Sequence, residues 1–130
     1  METAPPRRAP SRLRSFGHAL SGILYVLRTQ RNAWIHAVAT TIVVTLGLWL
    51  ETPPERWPPL LLSIGLVWMA EFINTALEAI VDLASPQHHR LARVGKDVGA
   101  AAVLIAALAA ALVGVLTLGP ALAERLGLAR

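Results

Sequence analysis

The sequence predicts an all-α membrane protein, a short amphipathic surface helix followed by three transmembrane helices. Three observations predict it. The 130 residues are 55% hydrophobic and only 15% charged, against about 25% charged in an average soluble domain, and mean hydropathy is +0.54. The apolar residues gather into three runs long enough to cross a bilayer, separated by short polar or proline-rich joints. The basic residues gather on alternate joints, as topology demands of a polytopic chain. There is no cysteine, which excludes a disulfide framework and a thiolate metal site.

Residues 1–10 hold three prolines and almost nothing apolar, and are expected to form a disordered tail. Over 11–30, Leu13, Phe16, Leu20, Ile23, Leu24 and Leu27 share about 100° of a helical wheel, with Arg14, Ser15, Gly22 and Arg28 elsewhere. Such a basic amphipathic helix lies in the bilayer interface. A helix packed on a protein core gives the same periodicity. Residues 32–50 form the first expected span, uncharged apart from a protonatable His36, and at about 1.5 Å per residue they reach close to 30 Å. Residues 51–59 are a proline turn between Trp49 and Trp57, indoles at interfacial depth. The second span, 60–83, is longer than the hydrocarbon layer requires. The third is expected over 97–119, with Lys96-Asp97 at its opening and Gly99, Ala106, Ala110 and Gly114 spaced for close approach in lipid. Residues 120–130 are expected to be a C-terminal tail, so the membrane domain is placed at 11–119. The first long apolar run begins past residue 30, which argues against a cleaved signal peptide.

Nine Lys and Arg lie in the N-terminal region and the 84–97 connection, against three in the proline turn and the C-terminus. This places the N-terminus in the cytoplasm of a bacterial inner (plasma) membrane protein and the C-terminus outside. The net charge of +4 is then a topology signal, and nucleic acid is excluded as a partner.

The feature that composition does not explain is an acidic face on the second span. Glu71, Asn74, Glu78 and Asp82 fall within about 80° of the wheel, opposite Phe72, Leu77, Ile80 and Val81. Ionisable groups within a membrane segment are a functional hypothesis by default; an interhelical polar cluster holding an oligomer together is the competing reading. Glu78 and Asp82 sit near the cytoplasmic boundary, level with Lys96 and Asp97, and Glu71 lies about two turns deeper. Phosphoryl transfer to a membrane-resident alcohol needs these parts: carboxylate oxygen for Mg²⁺, a cation for phosphate charge, and a carboxylate for the hydroxyl proton. On this reading Glu78 holds metal, Lys96 contacts phosphate and Glu71 receives the proton. Lys96 alone would be an ordinary snorkelling helix-end residue. No P-loop or kinase-type glycine-rich motif is present, so a nucleotide site is of another kind. His88-His89 reads as a solvated loop pair, and His18 and His36 carry no specific signal. A non-catalytic protein using the same carboxylates as a proton or cation path is the alternative, though such a path gains nothing from Lys96. A lipid phosphatase lacks a suitable Arg/His cluster.

The run Glu71-x-x-Asn74-Thr-Ala-x-Glu78-x-x-x-Asp82, followed by Lys96-Asp97-Val-Gly-Ala-Ala-Ala-Val-Leu, resembles the prokaryotic diacylglycerol kinase and undecaprenol kinase family over roughly Ser15 to Gly119. The resemblance implies a small homotrimer with one surface helix and three spans per chain, and active sites shared between neighbouring subunits. It implies an ATP-dependent lipid kinase with Mg²⁺ as cofactor. Glu71 matches the catalytic base, with Asn74 beside it toward the lipid substrate. Glu78 matches the metal ligand that also contacts nucleotide. Asp82, Lys96, Asp97 and the Gln87-His88-His89 segment match nucleotide-binding positions. One departure stands out: many family members carry, just before the first span, a Glu that shares metal and nucleotide binding, where this chain has Gln30. An amide keeps one oxygen for Mg²⁺ and loses the charge, so activity is expected to survive with a weaker metal site. The Arg31-Asn32-x-x-Ile35-His36 run is closer to the undecaprenol kinase-like branch, which favours undecaprenol over diacylglycerol.

Overall fold

The computed structural model describes residues 12–85 and 89–128, and among them there are helices and turns but no strand. Helix α1 (Arg12–Thr29) is followed by α2 (Arg31–Trp49), a 3-10 turn (Pro54–Arg56), α3 (Trp57–Ala84) and α4 (Arg90–Arg125). Three of these helices, those after α1, are long and apolar enough to cross a membrane.

Helix α1 turns Val26 inward and leaves Leu13, Phe16 and Leu20 exposed, so its leucine face is free for lipid or another subunit while its opposite side docks. A single extended residue, Gln30 (φ −101°, ψ 116°), separates α1 from α2 and makes no side-chain cap to α2. Its amide is therefore available elsewhere. Helix α2 closes in a Schellman motif, with Thr52 N–H donating to Gly47 O at 3.0 Å and Glu51 N–H to Leu48 O at 3.1 Å. The left-handed position of that motif, normally glycine, is Glu51 at φ +53°. Pro58 and Pro59 then enter the first turn of α3, where a missing N–H loses no helical bond. Trp57 seals the corner. Its ring lies against Gly47, where an added Cβ would sit 3.1 Å from it, and its Nε1–H donates to Thr52 O at 3.1 Å.

Helix α4 differs from expectation at both ends. It begins at Arg90, so Lys96 and Asp97 stand within the helix and not at its opening, and it runs on through Pro120 to Arg125. Apolarity marked only the part at membrane depth; Arg90, Leu91, Ala92 and Arg93 are adequate helix formers and extend it into the connection. At the far end Pro120 removes one intrahelical bond without ending the helix. A second Schellman motif does so, with Gly127 at φ +70° and Leu128 N–H donating to Ala123 O at 2.9 Å.

Helices α3 and α4 form the most extensive contact, with α2 packed more sparsely on both. Leu50, Leu60 and Leu118 are buried together with Val43, Leu46 and Val113 against them, and this packs the end of the bundle nearest the proline turn. Arg125 reinforces that end, its guanidinium 4.8 Å from the Trp49 ring and 3.8 Å from Glu51. Elsewhere Leu62, Leu66, Ile73, Ile105, Leu108 and Leu116 are all more than half exposed. A surface this apolar belongs in lipid or against other subunits.

Candidate active site

Helices α2 and α3 run antiparallel, and three pairs of side chains meet across them like rungs. Nearest the polar joints, Gln30 Nε2 lies 3.5 Å from Glu78 Oε2. Deeper, His36 Nε2 lies 3.6 Å from Glu71 Oε2. Deepest, Trp68 Nε1–H donates to Thr40 Oγ1 at 3.1 Å. Seven residues separate Glu78 from Glu71, about 10 Å along the axis, so the two carboxylates occupy different depths on one face.

Glu78 is half-buried and flanked by amides. Asn74, one turn away on α3, donates from Nδ2 to Glu78 Oε1 at 3.0 Å, and Gln30 faces the other oxygen. Asn74 itself is buried, and its Oδ1 has no hydrogen-bond partner in the chain. It is held there by α4: a Cβ added at Gly99 would overlap Asn74 Oδ1. The glycine permits the helix approach that pins the amide.

Glu71 is 1% exposed, and neither of its oxygens nor His36 Nε2 has a hydrogen-bond partner in the chain. Buried polar groups are nearly always paired, and a buried carboxylate without partners is costly. Thr75 Oγ1 donates to the Glu71 backbone carbonyl at 2.9 Å and does not reach the carboxylate.

At the polar rim, Lys96 Nζ contacts Asp82 Oδ1 at 2.5 Å across α3 and α4. Lys96 is expected from sequence beside Glu78; in the structure its partner is Asp82. Asp97, one residue on, faces the next side of α4 and pairs with Arg93 at 3.8 Å, both exposed. His89 caps α4, its Nδ1 accepting from Leu91 N–H at 3.2 Å. Gln87 and His88 lie outside the described residues.

The structure therefore gathers Gln30, Asn74 and Glu78 into one cluster, Asp82 with Lys96 into a second, and sets Glu71 apart. His36, which carries no specific signal in the sequence, stands against Glu71. A lone ionisable group within an apolar span was the available signal, and its place opposite Glu71 became visible only through the register of α2 on α3. Among the described residues no three His, Asp or Glu side chains converge as a metal cluster. Glu78, with the side-chain amide of Gln30 beside it, nevertheless offers hard oxygen of the kind Mg²⁺ takes, since that ion uses one or two carboxylates and completes its shell with phosphates and water.

Residues 17–118 match the family model described as prokaryotic diacylglycerol kinase. A diacylglycerol kinase of Synechocystis is 43% identical over 107 residues, covering 82% of this chain and 61% of its own length. The undecaprenol kinase of Bacillus subtilis is 38% identical over 109 residues, covering 84% and 89%. The diacylglycerol kinase of Escherichia coli K12 is 36% identical over 93 residues, covering 66% and 76%. The chain thus spans about three fifths of the cyanobacterial relative and most of the other two. A match through all four helices, with the carboxylates and amides of the acidic face gathered at one end, leaves a single conclusion: the chain belongs to the prokaryotic diacylglycerol kinase family.

Proposed function

We propose that this chain is an ATP-dependent lipid kinase that transfers the γ-phosphate to a membrane alcohol, undecaprenol in preference to diacylglycerol. The observation that carries the reading is the two-level site, with half-buried Glu78 near the polar rim and buried Glu71 about 10 Å deeper. A nucleotide arriving from water meets the upper level, and a hydroxyl arriving from lipid meets the lower. Lys96 at the rim supplies a cation for phosphate. It is tethered by an exposed carboxylate, Asp82, which holds it at the α3–α4 seam and releases it at little cost, since exposed ion pairs are worth about 0–1 kcal/mol. Asp97, His89, Gln87 and His88 complete the nucleotide side on this reading.

Glu78 and Gln30 would hold Mg²⁺ together with phosphate oxygens. The bound ion neutralises phosphate charge as it is transferred. Asn74 fixes the Glu78 carboxylate through Oε1, while its own Oδ1 packs against α4 at Gly99. Glu71 takes the proton of the attacking hydroxyl, a role suited to a carboxylate enclosed by apolar helices and excluded from water. Its unpartnered oxygens and the exposed apolar faces of α1, α3 and α4 support a homotrimer in which a neighbouring subunit completes each site. The distribution of Lys and Arg supports an inner-membrane protein with a cytoplasmic N-terminus. The Arg31-Asn32-x-x-Ile35-His36 run supports undecaprenol. A proton or cation path finds no support among the relatives, which are named for kinases.

The test is phosphorylation in mixed micelles with Mg²⁺-ATP and both alcohols in competition, for wild type and Glu71→Gln. Undecaprenyl phosphate is the expected major product. Glu71→Gln should lower kcat by roughly 10²–10⁴-fold with the KM for ATP nearly unchanged. Phosphorylation of neither alcohol, or full activity of the variant, overturns the reading.

A further inference from the structure

The reaction as derived leaves His36 without a part. Its Nε2, able to accept a proton when the imidazole is neutral, lies 3.6 Å from Glu71 Oε2. Its ring is held between Glu71 and Trp68. Trp68 meets it edge-on, centroids 6.2 Å apart at 70°, and Trp68 is itself held by Thr40 and leans on Phe72. The imidazole also lines a cavity of about 490 Å³ between α2, α3 and α4. It thus stands between an almost inaccessible carboxylate and open space. On the far wall of that cavity α4 presents Ala107, Ala110 and Ala111, and no ionisable residue occurs over 98–119.

A base that takes a proton at every turnover must lose it again. Glu71 is 1% exposed, and α3 offers it no acceptor: its neighbours one turn away are Val67, Trp68, Asn74 and Thr75, none of them basic. We propose that His36 is a positioning residue for Glu71, turning Oε2 toward its own Nε2 and taking over the proton that Glu71 removes from the lipid hydroxyl. Oε1 is thereby left to face the substrate. This rests on the lipid kinase reading. In the step, the hydroxyl O–H bond breaks, and its oxygen bonds to the γ-phosphorus as the bond from that phosphorus to the bridging oxygen of ADP breaks. The proton passes to Glu71 and then to Nε2, converting neutral imidazole to imidazolium, which loses it to water after product departs.

The experiment compares wild type, His36→Ala, His36→Gln, Glu71→Gln and the double variant His36→Ala/Glu71→Gln in the mixed-micelle assay, with unfolding followed by circular dichroism. His36→Ala should lower kcat by roughly 10²-fold, the lower end of what a proton-transfer partner contributes, with KM for ATP and alcohol within about twofold. His36→Gln, which can still orient the carboxylate but cannot take a proton, should recover part of that loss. Added imidazole should raise the rate of His36→Ala and leave His36→Gln unmoved. The double variant should be no slower than Glu71→Gln alone, because groups acting as one unit are non-additive. His36→Ala with kcat within twofold of wild type overturns the proposal, as does a double variant in which the two losses multiply. If His36→Ala fails to fold, His36→Gln at full activity overturns it equally. A wild type inactive on both alcohols refutes the lipid kinase reading; an active wild type with an active His36→Ala refutes only this one.

Discussion

Gly99→Ala tests the link between helix packing and the site. A Cβ at this position overlaps Asn74 Oδ1, and Leu77 Cδ1 stands 3.9 Å away on the same side. Asn74 is only 6% exposed, so its side chain has little room to retreat. Either α4 moves off α3 or the amide swings away from Glu78. Overpacking of this kind costs about 1–3 kcal/mol. The swing also sacrifices the 3.0 Å bond from Asn74 Nδ2 to Glu78 Oε1, and a hydrogen bond to a charged group is worth about 1.5–3 kcal/mol. If that bond supports Glu78 during transfer, its loss corresponds to a fall in kcat of roughly 10–150-fold. Gly22 on α1 has nothing within 4 Å of its added Cβ, so Gly22→Ala is the control and should stabilise by about 0.5–1 kcal/mol. Unfolding in detergent, followed by circular dichroism, measures the first effect and the mixed-micelle assay the second. Adding Asn74→Ala to Gly99→Ala should restore stability by making room for the methyl group, but not activity. A Gly99→Ala protein within about 0.5 kcal/mol of wild type and fully active would refute the coupling.

Three further outcomes follow from the same geometry. Gln30→Glu places a second carboxylate 3.5 Å from Glu78; the metal-free protein should lose about 1 kcal/mol from like-charge repulsion in a hydrated site, and the Mg²⁺ concentration for half-maximal activity should fall several-fold. An unchanged Mg²⁺ titration would sink the assignment of Gln30 to the metal. Lys96→Met breaks an ion pair whose partners are 38% and 66% exposed, so stability should change by less than about 1 kcal/mol while the KM for ATP rises by roughly 10-fold or more, one lost charged contact being worth about 1.5–3 kcal/mol; a stability loss without a KM change would make Lys96 purely structural. Glu51→Gly relieves a left-handed backbone that costs a side-chain-bearing residue about 1–2 kcal/mol and gives up only an exposed contact with Arg125. It should therefore raise the unfolding midpoint, and a fall would show that the Arg125 clamp outweighs the strain.

Much of the fold was legible because a bilayer restricts the solutions. Backbone groups in lipid must bond within their own segment, so long apolar runs bounded by prolines and charges can only be helices, and α2 and α3 appeared close to their expected positions. The ends of α4 were less legible for the same reason. Hydropathy reports where a helix meets lipid and is silent about where its hydrogen bonding stops, so the turns before Val98 and the segment after Pro120 carried no signal.

The acidic face of α3 was determined by sequence alone, since a period of 3.6 residues puts Glu71, Asn74, Glu78 and Asp82 on one side whatever surrounds them. So was the separation of Glu71 from Glu78, fixed by the rise of one helix. Which partner each meets was decided by tertiary structure. The register of α2 against α3 placed Gln30 at Glu78 and brought His36, unremarkable in its own run, to Glu71. The approach of α4 at Gly99 pinned Asn74, and it gave Lys96 to Asp82 instead of Glu78. Relations within one helix follow from the chain's own geometry. Relations between helices depend on how far one slides along the other, and that is settled only when the side chains between them pack.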